Sequence, residues 1–176
     1  MNDPPSTTVV VSDERRAAGA VDVDVDRWSR LAAAVLADEC QRGELTLTFV
    51  DPDEIAALNA EHLGLDGPTD VLSFPLDGSA EPAAVDASAE VPVLLGDVVV
   101  CPAVAAAQAV EHAGTLDDEL ALLVVHGVLH VLGHDHAGAD ETAVMRAREL
   151  DHLRTHHWRG SPPESFRQSH DDEVLT

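Results

Sequence analysis

Residues 120–133 read LALLVVHGVLHVLG, an apolar run broken twice by histidine, and no other stretch constrains the fold as tightly. Such a run is buried, yet it falls short of the roughly 20 apolar residues that cross a bilayer. Its flanks carry helix-boundary chemistry. Thr115 with Asp118 three positions on forms a variant of the capping box, with Asp in place of the usual Glu or Gln, and Gly133 suits the left-handed turn that ends a helix. The run therefore makes a buried helix with His126 and His130 four residues apart on one face. Burial penalises imidazolium, which favours the neutral ring, the form that binds a metal ion.

Two more histidines follow at once, giving HGVLHVLGHDH over residues 126–136. His126 and His130 can reach one ion from adjacent turns, and the turn at Gly133 lets His136 close a third corner. Three imidazoles with the fourth position left to water is the make-up of a catalytic zinc site, whereas structural sites are filled. One Zn2+ ion per chain is expected. The spacing also matches the zinc-peptidase pattern H-E-x-x-H-x-x-G-x-x-H, but Gly127 stands where those peptidases carry their glutamate base. His134 is either a substrate contact or a surface residue. Asp135 either orients a ligand histidine or caps the turn, and Asp135 and Glu141 are the carboxylates nearest in sequence for a general base.

The rest of the chain alternates strand and helix signals. TTVVVS is a strand, and the acidic GAVDVDVD after it is a linker. Asp26 is the expected cap of a helix carrying Trp28, Leu31, Ala32, Val35, Leu36 and Cys40 on one face and ending near Gly43. ELTLTFV alternates as a half-buried strand. Asp51 then caps a helix with Pro52 at its first position and Ile55, Leu58, Asn59 and His62 on one face, Asn59 tying down backbone. VLSFP is a short strand, residues 77–91 a solvated loop, and VLLGDVVVC a buried strand with a bulge at Gly96 and Asp97. A helix of small residues runs from Pro102 to about His112. A last one runs from about Asp140 to His157, with Ala143, Ala147, Leu150 and Leu153 on one face. These elements predict a single α/β (α+β) domain over residues 1–158: a small mixed, mostly parallel sheet of about four strands packed with about five to six helices. Residues 159–176 read as a polar, disordered tail.

The histidine run, written H-G-x-L-H-x-x-G-x-D-H, resembles the signature of the YbeY family, bacterial metal-dependent endoribonucleases and ribosomal-RNA maturation factors. LNAEHLGLDGPTDVLSFP, LLGDVVVCP and the pattern Glu141, Met145, Glu149 agree with it in the expected order. The resemblance implies a zinc-like ion held by His126, His130 and His136, and a fold of a small mixed sheet with helices. It also implies cleavage of single-stranded RNA, maturation of the 3′ end of the small-subunit ribosomal RNA, and ribosome quality control. As partners it implies small-subunit ribosomal proteins and an assembly GTPase. The chain departs from the pattern at two places. Where members commonly carry Tyr-Arg, the Arg regarded as functionally important, it has His62 and Leu63; the tyrosine usual within the motif is His134.

A net charge of −23 opposes any general affinity for nucleic acid, because phosphate binding rests on Lys and Arg. All ten basic residues are Arg, and over residues 140–160 four of them cancel the four acids. That helix, with Arg146 and Arg148, is the expected least repulsive face for RNA; an ordinary salt-bridged surface explains it equally. Thr69 and Ser73 are either substrate contacts or turn and strand residues. The leading reading is a metal-dependent endoribonuclease, a monomer with no membrane role. The alternatives are a zinc metallopeptidase-like hydrolase, opposed by Gly127, and a ribosome-assembly factor with a structural metal. The first residues lack a basic start and an apolar core, and Cys40 and Cys101 lack metal-type spacing, so a cytoplasmic chain with reduced thiols is expected.

Overall fold

The computed structural model describes residues 7–76, 93–135 and 137–168; the expected 77–91 loop, His136 and the last eight residues lie outside them. Strands β1 (Thr8–Asp13), β2 (Glu44–Phe49), β3 (Val71–Pro75) and β4 (Leu94–Val100) form one sheet in the order β1-β2-β4-β3. β1 and β2 pair in parallel, as do β2 and β4, while β3 lies antiparallel to β4 along one edge. This is the mixed, mostly parallel sheet that the sequence predicts.

Helices α1 (Val25–Asp38), α2 (Pro52–Leu63), α3 (Pro102–Gln108), α4 (Leu116–Val131) and α5 (Ala139–His152) surround it. α5 runs into a π-helical turn, Leu153–His157, closed by a 2.9 Å bond from the Trp158 amide to the Leu153 carbonyl. Period-two alternation sorts the sheet's side chains. Leu45, Leu47, Phe49, Val98 and Val100 join the main core with α1 and α4. Val99 and Cys101 point the other way, into a smaller cluster with Ile55 of α2. The central strands β2 and β4 thus have apolar clusters on both faces, while Val10 of the edge strand β1 stays exposed.

Several local details differ from the sequence-based expectation. α1 is capped by Asp24, whose carboxylate accepts the Arg27 amide at 3.0 Å; Asp26 sits in the first turn, where its charge favours the helix dipole. Asp51 occupies the cap position of α2, but its carboxylate takes the backbone N–H groups of Arg16 and Ala17 at 2.6 and 3.0 Å, pinning the chain just after β1. α3 ends at Gln108, short of the expected His112; the turns that follow bring the Glu111 and His112 amides to the Gln108 carbonyl and the Ala113 amide to Glu119 of α4. In β4 the register slips by one residue opposite Glu44 and Leu45, next to Gly96, so the expected bulge is present.

The inner face of α5 is not the alanine face. Ala143 and Ala147 are exposed, and Met145, Glu149 and His152 are buried. The two polar members have partners, which outweighs the mild apolar preference of alanine. Residues 159–168 of the polar tail run along the domain. Phe166 packs edge-on against Trp158 with ring centroids 4.7 Å apart, and the Arg167 amide donates to the His112 carbonyl at 3.0 Å.

Candidate metal centre

Helix α4 is anchored at its start by one carboxylate. Asp118 accepts hydrogen bonds from the Thr115 hydroxyl at 2.9 Å and from the His157 Nε2 and Trp158 Nε1 groups, each at 2.7 Å. Thr115 in turn accepts the Asp118 amide at 3.1 Å, the cap that the sequence predicts. At the other end Gly133 adopts a φ of 91°, a left-handed value that glycine takes without strain. The helix so fixed holds His126 and His130 on adjacent turns, with ring centroids 4.4 Å apart and planes at 76°.

His126 is backed by a carboxylate. Its Nδ1 lies 2.6 Å from Oε1 of Glu149, a fully buried residue of α5. Glu149 is itself held: its other oxygen accepts the Gln168 side-chain amide at 2.6 Å, and that amide also donates to the Arg146 carbonyl at 2.8 Å. A neutral imidazole that donates Nδ1–H to a carboxylate carries its lone pair on Nε2, the tautomer a metal requires. The Nε2 atom of His130 is buried as well. Two neutral imidazoles at helical spacing, one oriented from behind by a carboxylate, fit a divalent ion with nitrogen ligands. His136, the third expected ligand, lies outside the described residues.

Gly127, between the two histidines, packs directly against the sheet. A β-carbon there would lie 2.6 Å from Val98 Cγ1 and 3.3 Å from Ser73 Oγ. Its carbonyl accepts the Ser73 hydroxyl at 3.1 Å, which ties β3 to the middle of the motif. The position where zinc peptidases carry glutamate is thus filled by the sheet.

The other expected site residues are dispersed. The Glu141 carboxylate accepts the Gly138 amide at 3.2 Å and caps α5. Asp135 is exposed in the loop after Gly133. The Thr69 hydroxyl donates to Asp70 at 3.2 Å, and Asn59 donates to the Gly67 carbonyl at 3.0 Å, holding the turn before β3. Leu63 packs against the α2 cluster, and His62 lies 4.9 Å from the Phe74 ring. Arg148 donates to both oxygens of Glu39 at 2.8 and 2.7 Å, while Arg146 is half-buried.

Glu39 gathers a second polar cluster. It accepts from His152 Nε2 at 2.9 Å and lies 3.5 Å from His134 Nε2. Burial pushes its carboxyl up, but the hydrogen bonds from His152 and Arg148 prevail and hold it below the usual carboxylate value. Beside it, Asp38, His152 and His156 bring potential ligand atoms within 4.8 Å of one another, the one such group among the described residues. Sequence reasoning missed both this cluster and the role of Glu149. For Glu149 a signal existed: Glu141, Met145 and Glu149 recur every four residues, which puts an acid in line with a buried methionine.

Comparison with known proteins places these features in a wider set. A family model described as Endoribonuclease YbeY matches residues 14–157. An Endoribonuclease YbeY of Salinispora tropica is 47% identical over 149 residues, covering 80% of this chain and 91% of that protein. One of Mycolicibacterium vanbaalenii is 38% identical over 173 residues, covering 96% and 91%. One of Thermobifida fusca is 41% identical over 151 residues, covering 84% and 94%. The solution structure of a Thermotoga maritima protein superposes with a TM-score of 0.51 at 23% identity, over 89% of this chain and 99% of that one, and shares the fold.

Proposed function

The chain belongs to the YbeY endoribonuclease family, and from that premise we propose that it hydrolyses single-stranded RNA in maturing the 3′ end of the small-subunit ribosomal RNA and in ribosome quality control. The observation that carries the reading is the His126–His130 pair on α4 with Glu149 behind His126. His126, His130 and His136 are the residues assigned to one metal ion, with zinc the expected metal. Bound there, the ion would supply a Lewis acid that polarises a phosphoryl oxygen and lowers the pKa of a bound water toward about 7.

The protein's own groups prepare that chemistry. Glu149 keeps His126 in the ligating tautomer, and Ser73 braces the helix between the histidines. With Gly127 pressed against Val98, no glutamate of the peptidase type can stand on this helix, which disfavours the peptidase alternative. Asp135, exposed on the following loop, is the carboxylate assigned to hold the transferred proton, while Glu141 serves α5 as a cap. The working unit is the domain expected over residues 1–158 together with residues 159–168, since Gln168 holds Glu149. No helix among the described residues is long and apolar enough to cross a membrane. A cytoplasmic monomer, meeting small-subunit ribosomal proteins and an assembly GTPase, completes the proposal.

The test compares wild type, His130→Ala and Asp38→Asn, a change in the second cluster, on a ribosomal-RNA precursor, with added zinc and with chelator. Cleavage that is lost in His130→Ala and with chelator, but kept in Asp38→Asn, supports the reading. Cleavage that persists in His130→Ala refutes it.

A further inference from the structure

A chain of charge −23 that acts on RNA needs a local source of positive charge. The helix expected to provide it has Arg148 neutralised by Glu39 and Arg154 lying 4.0 Å from Asp151. Cations gather elsewhere. A cavity of about 480 Å³ opens between α1 and the π-helical turn, lined by Arg27, Trp28, Arg30, His156, His157 and Arg159 among others. Arg27 and Arg30 stand three apart on one face of α1, where like charges repel unless an anion or a partner offsets them. Arg27 has a partner: it donates to Asp117 at 2.8 Å, and a second guanidinium nitrogen lies 3.4 Å from His157 Nδ1. Arg30 and Arg159 are exposed, and neither forms an ion pair with any described residue.

Trp28 lines the cavity at 1% exposure. The Arg27 guanidinium lies over the Trp28 ring, 4.5 Å from its centroid, so the ring face is taken and cannot stack a base. What the cavity can offer is the guanidinium forks of Arg30 and Arg159, with Arg27 beside them, which is the chemistry of phosphate recognition.

We propose that this cavity is a phosphate-binding subsite that docks the backbone of single-stranded RNA without reading its sequence. The cavity is coupled to the metal helix. His157 lines it and donates to Asp118 at the start of α4, eight residues before His126, or about 12 Å along the helix axis. The choice of RNA as the ligand rests on the function proposed above; the anion chemistry does not.

The test uses the full chain kept in chelator, so that binding is read without cleavage. A fluorescein-labelled single-stranded oligoribonucleotide is titrated by anisotropy across a salt series. Arg30→Glu and Arg159→Glu, alone and together, are compared with Arg42→Glu, which makes the same charge change outside the cavity. Thermal midpoints confirm that each variant folds. The pocket variants should each weaken binding about tenfold, and the double variant should flatten the salt dependence by about 0.7 for each phosphate no longer neutralised. Arg42→Glu should do neither. Inorganic phosphate should compete with the RNA and alter tryptophan fluorescence in wild type, but not in the double variant. Three results overturn the proposal: equal weakening by Arg42→Glu, unchanged RNA affinity and salt slope in the double variant, or phosphate binding at the cavity with no effect on RNA. A wild type that binds RNA through the cavity yet leaves the precursor intact under zinc sinks the nuclease reading and leaves this one standing.

Discussion

Replacing Gly127 by Ala sets two effects of opposite sign against each other. Within a helix, Gly to Ala ordinarily stabilises by about 1 kcal/mol, through lost backbone entropy in the unfolded chain. Here the new methyl would lie 2.6 Å from Val98 Cγ1. Carbon atoms rest at about 3.5–4.0 Å, so the helix or β4 must yield by about 1 Å. Val98 is fully buried and β-branched, which restricts its rotamers, and its strand is paired on both sides by β2 and β3. Overpacking of this kind costs about 1–3 kcal/mol, leaving a net loss of up to about 2 kcal/mol after the helical gain. For a domain of this size that lowers Tm by up to about 8 °C, at roughly 2–4 °C per kcal/mol. Lifting α4 at Gly127 also moves the two histidines that flank it and strains the Ser73 bond, so zinc affinity should fall with stability. Thermal denaturation and competition with a chromophoric chelator read the two quantities. A Tm equal to or above wild type would mean that helix propensity prevails, and that the contact with the sheet does not close the glutamate position.

Three other outcomes are expected. Glu149→Gln should lower zinc affinity about 10- to 100-fold with the fold kept, since the group behind His126 loses its charge; unchanged affinity in chelator competition would remove Glu149 from the site. Asp118→Ala should destabilise by about 3 kcal/mol in denaturant titration, because it strips the Trp158, His157 and Thr115 donors of their shared acceptor; a loss below about 1 kcal/mol would show that water replaces it. Glu39, held below its ordinary value of 4.5 by His152 and Arg148 against the upward push of burial, contributes stability that is present above that value. The contribution is lost as pH falls through the lower folded pKa, so Glu39→Gln should flatten the acid limb of the stability–pH curve, and an unaltered limb would refute the assignment.

The order of elements and the mixed sheet were legible because they rest on periodicity and turn chemistry, which are local. ELTLTF alternates and becomes β2; the run with Thr115 and Gly133 at its ends becomes α4. What was not legible depends on which distant group claims a backbone or side-chain atom. The turns after α3 are held by Glu119, which takes the Ala113 amide from across the chain, and α5 turns Met145 and Glu149 inward although Ala143 and Ala147 had the better apolar spacing. The cap of α1 falls on Asp24 in a stretch where Asp, Val and Asp alternate, and no local rule picks one acid from three.

The same distinction bears on the site. The four-residue spacing of His126 and His130 is local and was readable; it says that two imidazoles share a face, not which nitrogen each presents. That choice is made by Glu149, contributed from a helix that begins beyond the loop, and Glu149 is held by Gln168 of a segment whose composition reads as disordered. The acid that orients the ligand is therefore itself positioned by the last described residue. A chain cut after Trp158 keeps every motif residue but loses the Gln168 amide and the packing of Phe166 on Trp158. Orientation of His126 then rests on a carboxylate that has lost the Gln168 amide as a donor, which weakens the network behind Nδ1. The polar tail, which carries no motif residue, thus belongs to the machinery that prepares the histidines.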